Sequence, residues 1–462
     1  MTTNENKQHV SVVVCGHVDA GKSTTTGHLI FELGGISERE MSKLRQEAEI
    51  LGKSSFAFAF YMDKTAEERA RGITIQCTTK EFFTDNYHYT IVDAPGHSDF
   101  IKNMITGAAQ ADVGLLMVPA DAGFGIAIQK GDPKANEIQG QTRQHARLLN
   151  LLGIKHLIVG VNKMDSETAG YKEERFIEVK DEMKNMLQRV GWKKDFIDKS
   201  VSIIPMSGWI GDNLIKKSVN MPWWKGQEIE VNGNKSTITT LLDALNNIHK
   251  PERKFDAPLR APVSGIYKIK GVGDVITARV EQGKVSPGEE VAFLPTHTPS
   301  NPCTGKVFTV EMHHTQMPSA GPGDNVGLNI KGLDKSHMPN RGDIMVLKKD
   351  VSLGPCKRFT AQVQVLEHPG ELKVGYTPVG YVRTAHSAMK IVEIKWRMGK
   401  ETGNTKVPNP LYVKGNDVAE IVFEPMQPIV VDKFANTEGL GRLAIFEGSQ
   451  VQMLGKIVDY TL

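Results

Sequence analysis

The chain has 462 residues, which is too long for one ordinary hydrophobic core and predicts about three domains. Hydrophobic residues make up 40% and charged residues 24%, as is typical of a globular protein in water. The net charge of only +3 excludes a polybasic nucleic-acid-binding chain, so any RNA binding must come from local patches.

Targeting and redox signals are weak throughout the sequence. The four cysteines form no CxxC pair, which argues against a zinc or dithiol site, and sparse thiols fit a reducing compartment. The first ten residues, MTTNENKQHV, are polar, and no stretch approaches the ~18 apolar residues of a membrane span. We therefore expect a cytoplasmic protein with no membrane partner.

The first half of the chain alternates between strand-like and helix-like segments. Strands are predicted at 9–16, 88–96, 112–121, 155–165 and 201–208, and helices at 22–35, 141–154 and 174–191. Strands that alternate with helices favour an α/β domain with a doubly wound, mostly parallel sheet.

The pattern changes at a polar, proline-bearing stretch, residues 246–262, which is predicted to be a linker. Beyond it, short alternating segments are separated by Gly and Pro-Gly turns, which indicates antiparallel strands. A second break falls at 347–359. We expect domains at residues 1–250, 256–350 and 357–462, the last two being antiparallel β-barrels.

The segment GHVDAGKST fits the pattern GxxxxGK[ST] and stands between a predicted strand and a predicted helix. Such a loop wraps phosphates with its backbone N–H groups, and its lysine reaches the β- and γ-phosphates while the next hydroxyl ligates Mg²⁺. The alternative is a glycine-rich turn that binds nothing. The expected phosphate-binding residues are Gly16, His17, Val18, Asp19, Ala20, Gly21, Lys22, Ser23 and Thr24, with Ser23 on the metal.

The segment DAPG, formed by Asp93, Ala94, Pro95 and Gly96, has the form DxxG and follows the second predicted strand. Such a pattern arises by chance about once in a chain of this length, so its position carries the argument. Downstream of a phosphate loop, Asp93 is expected to hold Mg²⁺ through water, and the Gly96 N–H to sense a γ-phosphate.

The segment NKMD, formed by Asn162, Lys163, Met164 and Asp165, ends the fourth predicted strand. A carboxylate there accepts two hydrogen bonds from guanine N1–H and N2–H₂, a pair that adenine lacks, so Asp165 is expected to select guanine. Asn162 is expected to support the loop, and the Lys163 stem to lie over the ring. The alternative is a polar turn. The backbone N–H groups of Ser207, Gly208 and Trp209 are expected near guanine O6.

The segment ERARGITI supplies a candidate mobile loop in which Thr74 closes on Mg²⁺ while a γ-phosphate is present. The alternative makes GITI a simple edge strand. Taken in order, these motifs predict a GTP-binding domain whose cofactors are GTP or GDP and Mg²⁺.

These motifs follow one another as they do in the translational GTPases. The chain resembles eukaryotic elongation factor 1-alpha and the elongation-factor-like proteins, and more distantly bacterial elongation factor Tu. The resemblance covers nearly the whole chain, including GHVDAGKSTTTGHLI, DAPGHSDFIKNMITGAAQAD, GQTRQHARLL, MSGWIGDNL, NMPWWKG, ARVEQGKVSPGEEV, GPGDNVGLNI and FTAQVQVLEHPG. The segments LGKSSFAFAFYMDK and IQCTTKEFF resemble the elongation-factor-like group.

The resemblance implies that the protein carries aminoacyl-tRNA to the ribosomal A site as its GTP form and leaves as its GDP form. It assigns His97 to positioning the attacking water, and Val18 and Ile73 to an apolar gate between that histidine and the γ-phosphate. It assigns Asp19 to the catalytic centre. Because no arginine-finger candidate lies inside the motifs, we expect the ribosome to supply help in trans.

The resemblance also implies sites for tRNA and other partners. Glu281 matches the position that meets the 3′-terminal ribose of tRNA, and Arg383 and His386 match positions that contact its T-arm. A guanine-nucleotide exchange factor is an expected partner. The basic segments KPERK, YKIKG and EIKWRMGK are candidate phosphate contacts or solvated faces. The tryptophan pair in NMPWWKG is expected to pack or to contact a partner.

Rival functions remain open at this point. Termination and ribosome-rescue GTPases and the GTPase subunit of sulfate adenylyltransferase share the superfamily, but FIKNMITG and NMPWWKG favour the elongation branch. A different class is a structural protein that binds actin and hydrolyses GTP incidentally. The intact Lys22, Ser23, Asp93, His97 and Asp165 argue against an inactive GTPase.

Overall fold

A computed structural model describes residues 7–63, 65–71, 73–74, 77–97, 104, 108, 111–131, 140–231, 233–249, 251–312, 315–366, 368, 370–448 and 450–462. The segment FIKNMITG lies, apart from Met104, outside the described residues. The chain divides into two units, Met1–Pro251 and Glu252–Leu462, each with its own core.

The first unit alternates strands and helices, as expected. Its strands are β1 (Gln8–Gly16), β2 (Thr78–Phe83), β3 (Tyr87–Asp93), β4 (Val113–Pro119), β5 (His156–Asn162), β6 (Ser202–Pro205), β7 (Gln227–Val231) and β8 (Asn234–Ile238). Its α-helices are α1 (Lys22–Glu32), α2 (Glu38–Ile50), α3 (Ala59–Met62), α4 (Ala66–Arg71), α5 (Phe124–Ile128), α6 (Gln141–Leu152), α7 (Glu173–Arg189), α8 (Lys194–Ser200) and α9 (Leu241–Asn246), with a 3₁₀ turn at Ser54–Phe56.

The central sheet has the order β2-β3-β1-β4-β5-β6. All its pairings are parallel except β2 with β3, so the predicted doubly wound, mostly parallel sheet is confirmed with one antiparallel edge strand that the sequence analysis did not assign. Strands β1, β4, β5 and β6 are buried along their length, as parallel strands covered by helices are. The strand order reverses at β1, and ligands of such sheets bind at this edge.

Three structural features of the first unit lie outside the sequence-based prediction. Helix α2 is amphipathic and begins at a Ser37 side chain that accepts a hydrogen bond from the Glu40 N–H. The β7–β8 hairpin and helix α9 follow the last strand of the sheet. Thr240 and Asp243 form a capping box that fixes the start of α9.

The second unit contains two antiparallel β-barrels. The first barrel comprises β9 (Ala261–Ile269), β10 (Gly273–Arg279), β11 (Glu290–Leu294), β12 (Thr304–Met312), β13 (Thr315–Met317), β14 (Asn325–Lys331) and β15 (Ile344–Leu347). The second comprises β16 (Arg358–Val365), β18 (Val379–Val382), β19 (Ala385–Met398), β20 (Val407–Pro408), β22 (Val418–Pro425), β23 (Arg442–Glu447) and β24 (Gln450–Thr461). Strands β17 (Leu372–Lys373) and β21 (Tyr412–Val413) pair separately, and Lys400–Thr402 forms a 3₁₀ turn.

Each barrel closes through one further pairing, β11 with β12 in the first and β18 with β19 in the second. Closure leaves six strands in each ring and removes the exposed sheet edges. Separate apolar cores fill the two barrels, and a third cluster, which includes Leu294, Ile344, Val430 and Leu440, joins them. The predicted pair of antiparallel barrels is therefore confirmed. No helix in the described part of the chain is long and apolar enough to cross a membrane.

Candidate nucleotide-binding site

The glycine-rich loop connects β1 to α1 at the carboxyl edge of the sheet. Gly21 is the N-cap of α1 with φ of 81°, a conformation that a Cβ would strain, and a Cβ there would also meet the Asn162 amide. Among the residues that the structure describes, no side chain caps this helix. Its first N–H groups therefore present a partial positive charge suited to an anion.

Lys22 lies at the base of this loop with 7% of the residue exposed, and its Nζ donates to the His17 carbonyl at 2.8 Å. Burial lowers the pKa of Lys22, while the nearby Asp93 carboxylate opposes that shift. A side chain at Gly96 would meet Lys22 Nζ and the loop backbone, so glycine is needed for DAPG to approach this closely. The loop and DAPG thus form one continuous surface.

Two hydroxyls and two carboxylates meet beside the lysine. Thr74 Oγ1 lies 3.1 Å from Ser23 Oγ and donates to Asp63 Oδ1, also at 3.1 Å. Asp93 is fully buried at the end of β3, and within the described part of the chain neither of its carboxylate oxygens has a hydrogen-bond partner. Burial raises the pKa of Asp93, and the nearby Ser23 hydroxyl opposes that rise. The structure therefore brings together the three predicted metal residues Ser23, Thr74 and Asp93.

Asp63 is a further residue of this cluster that the sequence did not predict, and it lies at the end of α3 with 2% exposure. Burial, followed by the charge of Asp93, raises the pKa of Asp63 to about 7, and burial raises the pKa of Asp93 to about 6. Two carboxyls held this way favour a cation between or beside them. The segment YMDK carries no motif, so only the folded position of Asp63 against Thr74 identifies it.

Arg69 holds the segment before Thr74 in place. Its guanidinium donates to the Glu47 carboxylate at 2.6 Å and to the Asp63 and Phe60 carbonyls at 2.8 and 3.1 Å. These bonds join α4 to α2 and α3. Ile73 and Thr74 lie outside any strand, and residues 72 and 75, the other two residues of GITI, lie outside the described residues, so the edge-strand alternative is not tested.

Asn162 links three segments at the opposite end of the site. Its Nδ2 donates to the Ala20 carbonyl at 2.9 Å, and its Oδ1 accepts from the Gly208 N–H at 2.7 Å. Thr25 Oγ1 lies 3.4 Å from the same Nδ2. Asn162 thus connects the phosphate loop, α1 and the loop after β6.

Neighbouring groups shape the rest of this pocket. Lys163 has φ of 63°, and its Nζ forms an ion pair with Asp121 Oδ2 at 2.8 Å. The next two residues differ in exposure, since Met164 is fully buried and Asp165 is half-buried. The N–H groups of Ser207 and Gly208 already donate to the Asp212 carbonyl and to Asn162 Oδ1. These two groups could meet a guanine O6 only by sharing or exchanging these bonds, and the position of the Ser207, Gly208 and Trp209 N–H groups near O6 stays a prediction.

The predicted catalytic residues lie on one cavity beside the hydroxyls and carboxylates. This cavity is lined by Val18, Asp19, Gly21, Lys22, Ser23, Thr24, Phe56, Ala59, Asp63, Ile73, Thr74, Gly96 and His97. Asp19 has φ of 59°, and Ala94 and Pro95 are buried. The structure therefore brings His97 together with both predicted gate residues.

The predicted tRNA residues lie in the second unit. Glu281 follows β10, Arg383 follows β18, and Arg383 Nη2 donates to Glu281 Oε2 at 2.7 Å. His386 is exposed in β19, and its ring stacks on Tyr381 with centroids 5.5 Å apart. The structure thus joins two of the three residues to each other and leaves His386 on the surface.

The tryptophans of NMPWWKG pack within the first unit. Trp223 and Trp224 donate from Nε1 to the carbonyls of Tyr171 and Thr239 at 2.8 and 2.9 Å. Both rings contact Phe176 of α7. The expectation that this pair packs is confirmed.

Comparison with known proteins is consistent with this geometry. Residues 7–251 match the Elongation factor Tu GTP binding domain, residues 273–346 match Elongation factor Tu domain 2, and residues 358–458 match the GTP-eEF1A C-terminal domain-like family. The chain is 43% identical over 454 residues to Elongation factor 1-alpha of Coccidioides immitis (strain RS), covering 98% of this chain and 94% of that protein. Elongation factor 1-alpha of Aspergillus oryzae matches over the same length at the same identity.

Solved structures share the fold at lower identity. The GTPase-like domain of Ski7 from S. cerevisiae, bound to GTP, superposes with a TM-score of 0.78 at 19% identity, over 98% of this chain and 97% of that chain. Translation elongation factor SelB from Methanococcus maripaludis gives 0.64 at 21% identity, over 98% and 80%. The family matches and the close relatives together show that the chain belongs to the elongation factor Tu family and is a translation elongation GTPase.

Proposed function

We propose that the protein binds GTP with Mg²⁺, delivers aminoacyl-tRNA to the ribosomal A site in the cytosol, and hydrolyses the nucleotide there. The observation that carries this proposal is the meeting of the phosphate loop, Asp93 and the Asn162–Asp165 segment at one edge of the sheet. The elongation factor 1-alpha relatives support the choice of aminoacyl-tRNA over a termination or sulfate-activating role.

The phosphates would lie against the N-terminus of α1. The backbone N–H groups of Asp19–Thr24 would wrap them, because those of Gly16, His17 and Val18 donate to side chains of α6. The buried Lys22 ammonium would neutralise the β- and γ-phosphates after releasing the His17 carbonyl. At the other end, Asp165 accepts from guanine N1–H and N2–H₂ while the Lys163 stem covers the ring. Adenine would leave the Asp165 carboxylate unpaired, which is costly in a pocket.

The oxygen-rich cluster fits Mg²⁺. The Ser23 and Thr74 hydroxyls and the Asp93 carboxylate are the oxygen donors this ion prefers, and Mg²⁺ typically uses one or two carboxylates together with substrate phosphates. Bound Mg²⁺ would neutralise charge on the transferring phosphoryl group. Asp63 holds the Thr74 hydroxyl in this cluster.

Hydrolysis requires an oriented water and neutralised charge more than covalent help. His97 is proposed to orient that water, with Val18 and Ile73 as the apolar gate in front of it and Asp19 beside it. A histidine suits the task because its ring nitrogens can accept a hydrogen bond from a water molecule or donate one to it. The ribosome is the proposed trans-acting helper, since such help raises the rate by about 10³–10⁵ in GTPases.

The second unit is proposed to hold the tRNA, with Glu281 at the terminal ribose and Arg383 and His386 at the T-arm. Because Glu281 is paired with Arg383, ribose binding at Glu281 must share the carboxylate with that guanidinium. An exchange factor is the further proposed partner. An additional role with actin stays a prediction from the sequence.

Protection of the aminoacyl ester tests the proposal. Labelled aminoacyl-tRNA is incubated with the protein and GTP or GDP, and spontaneous hydrolysis of the ester is followed over time. We expect slow hydrolysis with GTP and the unprotected rate with GDP. Absent protection, or equal protection by both nucleotides, would contradict delivery of aminoacyl-tRNA.

A further inference from the structure

The first half of the phosphate loop is held by side chains of helix α6, which follows more than a hundred residues later. The N–H of Gly16 donates to His145 Nδ1 at 3.0 Å, and the N–H of His17 donates to Thr142 Oγ1 at 3.2 Å. The N–H of Val18 donates to Gln141 Oε1 at 3.3 Å. Three successive loop N–H groups are therefore engaged by three residues of the first two turns of one helix.

This arrangement is buried and chemically specific. Thr142 and His145 are fully buried, and α6 packs on β1 and β4, whose carboxyl ends carry the loop. Burial, followed by the charge of Lys22, lowers the pKa of His145 to about 3, so the ring is neutral and Nδ1 can act as an acceptor. A buried N–H without an acceptor is costly, so each bond constrains the loop.

The bonds also divide the loop into two functional halves. The N–H groups of Gly16, His17 and Val18 are turned towards α6, whereas those at the start of α1 are the ones suited to phosphate. Val18 lines the same cavity as Ile73 and His97. Because the Val18 N–H donates to Gln141 Oε1, Gln141 fixes the backbone of one proposed gate residue.

We propose that Gln141, Thr142 and His145 are positioning residues that hold the phosphate loop in the shape that binds GTP and GDP. This inference rests on the proposed nucleotide binding at the loop. When an acceptor is removed, the corresponding loop N–H turns to water in the nucleotide-free protein. When a nucleotide binds, the loop must leave this water-bound conformation, and the free-energy cost weakens nucleotide affinity. The contacts to the nucleotide itself stay unchanged.

Paired substitutions test this role. Thr142→Val removes the acceptor at nearly constant shape, whereas Thr142→Ser keeps it. His145→Leu removes the acceptor, whereas His145→Asn places an amide oxygen near the position of Nδ1. The measurements are the dissociation constants and dissociation rates of fluorescent GDP and GTP analogues, together with the melting temperature of each nucleotide-free protein.

We expect Thr142→Val and His145→Leu to raise the dissociation constants by roughly tenfold, or about 1.4 kcal/mol, mainly through faster release. Thr142→Ser and His145→Asn should recover most of that loss. Equal affinities across each pair, or affinity losses that simply follow the melting temperatures of the nucleotide-free proteins, would overturn the positioning role. A wild-type protein that binds neither nucleotide would instead overturn the proposed function.

Discussion

Arg383 of the second barrel donates to Glu281 of the first at 2.7 Å, and only 13% and 10% of these side chains are exposed. The pair joins two loops that are 102 residues apart in the chain. Arg279 Nε lies 3.8 Å from the other oxygen of Glu281, so the carboxylate stands between two guanidinium groups. The residue expected to meet tRNA is therefore also part of the connection between the barrels.

Breaking this ion pair from one side should destabilise the second unit. Arg383→Met leaves the Glu281 carboxylate buried with Arg279 as its remaining cation, and we expect the free energy of unfolding to fall by about 3 kcal/mol. Adding Glu281→Gln to that variant should restore most of the loss, since it removes the poorly paired charge. Urea denaturation of both single variants and the double variant measures the coupling. Strictly additive losses would show that the two side chains do not stabilise one another.

Guanine selection should depend on Asp165. Asp165→Asn replaces two acceptor positions with an amide, and we expect GTP binding to weaken by roughly a hundredfold, about 3 kcal/mol, while xanthosine triphosphate binding improves. Glu167→Gln, two residues away on the exposed surface, is the matched control for loss of a carboxylate. Competition between the two nucleotides measures the preference. An unchanged preference in Asp165→Asn would remove Asp165 from base recognition.

The Thr74 hydroxyl should distinguish the two nucleotide states. Thr74→Val removes the hydroxyl that lies against Ser23 and Asp63, and we expect GTP affinity in Mg²⁺ to fall by roughly tenfold with GDP affinity little changed. Thr79→Val, on the exposed face of β2, removes a comparable hydroxyl away from the site. Titration calorimetry with each nucleotide is the measurement. An equal effect on GDP would mean that Thr74 does not respond to the γ-phosphate.

Acid should destabilise the first unit through a buried histidine of β5. Burial, followed by the charge of His249, lowers the pKa of His156 from 6.5 to about 3. Below pH 6.5 the unfolded chain binds a proton at His156, whereas the folded protein keeps this side chain neutral. The contribution of His156 to the free energy of unfolding is therefore fully present above pH 6.5 and is lost as pH falls towards 3. The expected slope is about 1.4 kcal/mol per pH unit.

His156→Asn removes this titration. Its free energy of unfolding should fall less steeply than that of the wild type between pH 6.5 and pH 5, as followed by urea denaturation and tryptophan fluorescence. Identical slopes would assign the acid sensitivity to other groups.

Local sequence patterns predicted the sheet and the motif loops because both depend on short-range information. Buried apolar runs such as that of β5 identify parallel strands, and the carboxyl ends of such strands meet at one edge. This is why Lys22, Asp93 and Asn162 could be placed together from separate motifs. The antiparallel strand β2, with the sequence TTKEFF, was not predicted because its polar and apolar residues do not alternate regularly. The strand also follows the mobile-loop candidate closely in the chain.

Contacts that depend on distant elements were not predictable. Asp63 reaches Thr74 only because α3 and α4 are fixed by Arg69, and no motif marks that aspartate. The segment GQTRQHARLL predicted a helix, but its packing on β1 was needed to show that Thr142 and His145 accept from the phosphate loop. The resemblance assigned Arg383 and Glu281 each to a tRNA contact, but nothing in the sequence indicated that the two side chains form an ion pair.

The measurement that tests the central claim most directly is single-turnover GTP hydrolysis on ribosomes programmed with a cognate codon and loaded with aminoacyl-tRNA. Wild-type protein should hydrolyse GTP about 10³–10⁵ times faster with ribosomes than alone, and His97→Ala should lose nearly all of that stimulation while still binding GTP. A wild-type protein that ribosomes fail to stimulate, or a His97→Ala variant that hydrolyses GTP at the wild-type rate, would contradict the account.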